Sequence, residues 1–123
     1  MISAEAEKRA RAWLLEHLDE DQRQELERTS CFTVISQYGN RYRIDTTKRQ
    51  MNVFLTWRDG AQIVLCVITK DHQVPLYDQC LMQKLMLEAK EDEFMKVALP
   101  SSFPRSAGFV HEHDALRHFS ASS

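Results

Sequence analysis

The hydrophobic period of this chain changes twice, and that restricts the fold more than any motif does. Through the first 28 residues apolar side chains recur at three- and four-residue steps: Ala6, Ala10, Trp13, Leu14 and Leu18, with Glu5, Lys8, Arg9, Arg11 and Glu16 between them. That spacing makes a helix apolar on one face and charged on the other. Asp19 and Gln22 have the separation of a capping box, so a break and a second short helix, about 20–28, are expected. From Cys31 the period is two. Phe32 and Val34 alternate with Thr33 and Ile35, then Tyr42 and Ile44 with Arg41, Arg43 and Asp45, across a Tyr38-Gly39-Asn40 turn. A second hairpin follows, with Met51, Val53, Leu55 and Trp57 on one face and Asp59-Gly60 matching a type I′ turn. The run from Ala61 to Thr69 is apolar on both faces, as expected of a strand that is central or covered twice. Near Leu76 or Tyr77 the helical period returns. Its stripe is Leu81, Met82, Leu85, Met86 and Ala89, continued by Phe94, Val97 and Ala98 beyond a kink at the acidic run 91–93.

This order predicts an α+β fold: two N-terminal helices, a four-stranded antiparallel meander, and a C-terminal helix packed on one sheet face. The 123 residues, 43% hydrophobic and 28% charged, suffice for one domain that buries about two-thirds of its unfolded surface. We place that domain at 1–99. Residues 100–123 form a Ser/Pro-containing tail with a short helix at 111–119, expected to cross the other sheet face. No stretch of eighteen apolar residues and no basic-then-apolar leader occurs, which predicts a cytoplasmic protein without membrane contact. Cys31, Cys66 and Cys80 are odd in number and lack CxxC spacing, so reduced thiols packed as small hydrophobes are expected.

Charge follows the same partition. Residues 31–70 hold six bases (Arg41, Arg43, Lys48, Arg49, Arg58, Lys70) against two acids, a balance of +4, while 1–30 and 71–99 are each −3. A positive sheet between negative helical layers is therefore expected, and segregated charge bears on partners even where no chemistry is encoded. Arg41, Arg43, Lys48 and Arg49 could track phosphates, with Tyr38 or Tyr42 for base stacking. The alternation puts Tyr42 on the face opposite the arginines, and a net charge of −2 is far from the strongly basic balance of a dedicated nucleic-acid binder. The bland reading is that these bases decorate a sheet and pair with the acidic helices.

In the tail, His111, Asp114 and His118 would share a helical face, with His113 as a further ligand type for zinc or iron. A metal centre requires a rigid frame, and this group lies beyond a Ser/Pro linker, so solvated histidines are the expectation and no metal or cofactor is assigned. Glu88, Glu91, Asp92 and Glu93 read as a solvated face, with Lys84 one turn from Glu88 and Lys96 one turn from Asp92. The sequence contains no GxSxG, GxxxxGK, HExxH or GxGxxG, and three glycines do not build a phosphate cradle. No catalytic residue is assigned.

Tyr42-Arg43-Ile44, the strand ending near Cys66, the Val74-Pro75-Leu76-Tyr77-Asp78 helix entry and the Asp92-Glu93-Phe94 close resemble those of a group of small bacterial and phage-type α+β domains. The resemblance covers about residues 10–98. It implies shared packing and no activity, and the 24 residues after Leu99 lie outside it. The function expected is that of a non-catalytic protein-interaction module within a larger assembly. Its contacts would be Arg41, Arg43, Lys48 and Arg49 on the hairpin, exposed strand edges, and Phe103, Phe109 and Phe119 in the tail. A nucleic-acid-binding accessory protein is the alternative, and a metal-dependent activity at the tail histidines ranks third.

Overall fold

The computed structural model describes residues 3–57, 60–67 and 74–98. Helix α1 (Ala4–Glu16) begins at Ser3, whose Oγ accepts the Ala6 amide at 3.1 Å. The capping box forms as expected: Asp19 Oδ1 accepts the Gln22 amide at 2.8 Å, Gln22 Oε1 accepts the Asp19 amide at 3.0 Å, and α2 (Glu20–Thr29) follows. Strands β1 (Cys31–Ile35), β2 (Arg41–Asp45), β3 (Val53–Thr56) and β4 (Gln62–Leu65) make one antiparallel meander in chain order. Helices α3 (Leu76–Ala89) and α4 (Glu91–Ala98) complete the described chain.

Both hairpins close in the same way. Ser36 donates to Asn40 O and Gly39 to Ser36 O, while Trp57 donates to Ala61 O and Gly60 to Trp57 O. Gly39 and Gly60 each have φ +84°, the left-handed region, and Gly39 ends a three-residue hairpin loop there. Asp59 of the expected Asp59-Gly60 type I′ turn lies outside the described residues. Ser30, at φ 64°, plays the comparable part where α2 ends.

Phe32, Val34, Tyr42, Ile44, Val53, Leu55 and Leu65 point inward from the sheet and are buried. They share one core with Leu14 of α1, Leu18 of the α1–α2 connection, Leu26 of α2, Leu81 and Leu87 of α3, and Phe94, Met95 and Ala98 of α4. All four helices therefore serve the same sheet face. The expected enclosure of the sheet between two helical layers is not found: no described element covers the outer face. The tail that was expected to cross it lies outside the described residues.

Three strand and helix assignments change as well. The doubly apolar run does not make a central strand. Ile68 and Thr69 lie outside the described residues, and β4 is the sheet's edge, with Val64 38% exposed on the outer face. Met51 does not join the inward face of β3; it sits at φ 53° before the strand and is exposed. The C-terminal helix divides at Lys90 into α3 and α4, at the acidic run where a kink was expected.

The core face of α3 also differs from its apolar stripe. Gln79, Cys80, Gln83, Lys84 and Leu87 are buried beside Leu81, whereas Leu85 is 46% exposed and Met82 and Met86 are half-buried. Hydrogen bonds explain the rotation. Gln83 and Asn52 exchange side-chain amide bonds at 2.9 and 3.0 Å, Gln83 Nε2 also donates to Val67 O at 2.7 Å, and Gln79 Nε2 donates to Arg49 O at 2.7 Å. A buried amide with its partners in place costs little, so polarity did not keep these residues outside.

Candidate binding surface

The outer sheet face is assembled by strand register. Thr33 stands opposite Arg43, Arg43 opposite Phe54, and Phe54 opposite Val64, so four strands contribute one row. Beside it Ile35 stands opposite Arg41, and Thr56 opposite Gln62. Arg43 lies with Cζ 4.8 Å from the centroid of the Phe54 ring, a cation–π contact that holds the guanidinium over the neighbouring strand. Ile35 is 52% exposed, and both arginines face solvent. Neither arginine forms an ion pair among the described residues, where the two ion pairs present are Arg23–Glu20 and Lys84–Glu88. The pairing of these bases with acidic helices, expected on the bland reading, is absent there.

The four hairpin bases do not act as a set. Lys48 is exposed in the β2–β3 connection, but Arg49 turns back into the body. Its Nη1 is buried without a hydrogen-bond partner, and its charge acts on Cys80 of α3. Phe103, Phe109 and Phe119 lie outside the described residues, as do His111, His113, Asp114 and His118. No group of three His, Cys, Asp or Glu side chains suited to a metal occurs among the described residues.

The tyrosines are committed elsewhere. Tyr42 is fully buried and donates its hydroxyl to Glu91 Oε2 at 2.6 Å, and half-buried Tyr38 donates to Asp92 Oδ2 at 2.9 Å. Neither offers an open ring beside Arg41 or Arg43. Glu91 was read as part of a solvated acidic face, and here the structure corrects the sequence most sharply. The side chain is fully buried and also accepts Ser36 Oγ at 2.6 Å, Asn40 Nδ2 at 2.9 Å and the Tyr38 amide at 3.2 Å. As the first residue of α4 it also sits at the positive end of a helix dipole. Four donors and that dipole replace the lost water, so a buried carboxylate ties the β1–β2 turn to α4. Burial, then the neighbouring Glu91 carboxylate, pushes the Tyr42 phenol well above its ordinary range.

Side chains of α2 seal one sheet edge. Along β1, Glu25 of α2 accepts the Thr33 amide at 2.7 Å and its hydroxyl at 2.9 Å, while Gln22 Nε2 donates to Thr33 O at 2.8 Å. Side chains thus occupy the hydrogen-bonding positions that an added strand would use, and β1 does not offer the open edge that was expected. The cysteines are all free: Cys80 is buried, and Cys31 and Cys66 are half-buried. Burial, then Asp45, raises the Cys31 thiol, partly offset by Arg43, so proximity to an arginine does not yield a reactive thiolate.

No helix among the described residues is long and apolar enough to cross a membrane. Comparison with protein-family models, with curated proteins and with solved structures finds no match to this chain.

Proposed function

We propose that this protein is a non-catalytic interaction module whose open sheet face docks a protein segment carrying carboxylates beside apolar side chains. One observation carries this reading: four strands have a single covered face, and the other presents Arg41 and Arg43, without ion pairs among the described residues, next to exposed Ile35 and Val64. Two cations flanked by apolar side chains, one of them held over Phe54, match a partner that supplies both contacts, because charge steers encounter while apolar burial holds the complex. The cation–π stack favours this partner, since Arg43 occupies the face of Phe54 that a nucleic-acid base would need.

The test is affinity capture from native cells with the wild-type chain and with Arg41→Glu/Arg43→Glu, each across a salt series. A protein lost with the double variant, yet retained by the wild type at high salt, supports the reading. Captured nucleic acid, with affinity falling steeply as salt rises, would replace it with the nucleic-acid alternative.

A further inference from the structure

Helices α1 and α3 pack side by side and leave a solvent-open groove of about 560 Å³ between them. Each wall is a stripe at i, i+4, i+7 spacing: Ala6, Ala10 and Trp13 on α1, and Asp78, Met82 and Leu85 on α3. Trp13 is 57% and Leu85 46% exposed. Ala10 and Leu81 at the groove's base are buried, whereas Ala6, Trp13, Met82 and Leu85 belong to the apolar stripes that the sequence gives these helices but are left partly or largely exposed by the core. The groove is thus an amphipathic surface at the margin of the core, with exposed apolar walls, and such surfaces ordinarily have a partner.

We propose that the partner is a second copy of this chain, docked about a twofold axis through the α1–α3 groove. Charge complementarity identifies it. The groove carries one cation, Arg9 on α1, and one anion, Asp78 on α3, and neither forms an ion pair among the described residues. In a twofold contact residue i meets j and j meets i, so Arg9 of each copy faces Asp78 of the other and both charges are matched twice. Shape is complementary in the same sense. Ala6 and Ala10 leave a low floor one turn from the projecting Trp13 ring, and each copy's indole fills the other's floor. The outer sheet face lacks this property, because its Arg41 and Arg43 would meet like charges in a self-contact. The inference therefore goes beyond the docking reading above and does not depend on it.

Sedimentation of the full chain over about two decades of concentration tests the proposal, since a self-associating species is populated by mass action. A concentration-dependent dimer is expected, accompanied by a blue shift of tryptophan emission that Trp13→Phe removes. Arg9→Asp or Asp78→Arg alone places like charges together twice and is expected to weaken dimerisation about tenfold, whereas the double exchange restores it. Thermal melts of the single variants show whether each still folds, and recovery in the double variant separates lost pairing from lost structure. A monomer at every concentration overturns the proposal, as does a dimer indifferent to Trp13→Glu. A monomer whose Trp13 emission shifts on Phe109→Ser or Phe119→Ser also overturns it, because the groove would then hold the chain's own tail.

Discussion

Glu91 receives four hydrogen bonds with no cation among the donors, so its effect on stability rests on geometry rather than ion pairing. Replacing it with Gln keeps the size but turns one acceptor oxygen into a donor group facing the Tyr42 hydroxyl and Asn40 or the Ser36 hydroxyl. The loss expected is about 2–4 kcal/mol, from buried donors left without acceptors, read as a lower urea midpoint at unchanged slope. A value under 1 kcal/mol would mean that water reaches the site and that α4 does not depend on it. Cys80 gives a second expectation. Burial, then Asp45, pushes its thiol from 9.0 up to about 12. Below pH 9 the thiol is protonated in both the folded and unfolded chain and its contribution is complete. Above that the unfolded chain releases the proton while the folded one keeps it, so stability falls by up to about 1.4 kcal/mol per pH unit until the folded value is reached. Tyr42, raised in the same direction, adds to the fall above its ordinary value near 10. Urea melts between pH 8 and 10 should show this slope, and Cys80→Ala should flatten it at a cost of about 1–2 kcal/mol at neutral pH. An identical slope in the variant would place the alkaline sensitivity elsewhere.

At the scale of elements, α2 does more than supply Leu26 to the core. Glu25 and Gln22 bond to the backbone and side chain of Thr33 on the outer edge of β1, so one helix both packs and seals. Glu25→Ala is expected to cost about 1–3 kcal/mol for the part-buried Thr33 donors left without their acceptors and to open an edge on which chains can add. Light scattering on prolonged incubation near the melting midpoint should rise for this variant and not for Glu27→Ala on the same helix. Equal scattering would show that the edge is not what limits association. The sequence disclosed such features unevenly. The α2 capping box, the meander and the inward alternation of β1 and β2 were legible because each depends on residues close in the chain. Glu91, Gln79, Gln83 and Asn52 were not, because a polar side chain reads as exposed until its distant partners, up to 55 residues away, are known. The same limit misdirected α3, where an apolar stripe marks the groove and the satisfied glutamines face the core. For the candidate surface, alternation placed Arg41 and Arg43 correctly on the outer face, but nothing local distinguished them from Arg49, which turns inward.

Across the whole molecule, one core separates two surfaces of opposite character: a cationic sheet face on one side, and an apolar groove of balanced charge between helices on the other. Burial of a single sheet face forces this arrangement, since every helix is drawn to the same side and the outer strands' side chains are left for water or a partner. Dimerisation through the groove leaves both sheet faces free, which makes the assembly bivalent toward anything the sheets bind. Two interactions on separate surfaces should then be separable by mutation. Arg41→Glu/Arg43→Glu is expected to abolish partner binding while leaving the dimer intact, at a stability cost of no more than about 1 kcal/mol for the lost Arg43–Phe54 stack, because neither arginine touches the core or the groove. Trp13→Glu is expected to give a monomer that binds a soluble partner with unaltered affinity. On a densely coated surface, where the dimer engages two partners at once, that variant should dissociate about a hundredfold faster than the wild type, the scale by which avidity exceeds a single contact. Biosensor measurements at low and high partner density make the comparison. If Trp13→Glu weakened both formats equally, the two surfaces would be coupled, and the division of labour between sheet and groove would have to be abandoned.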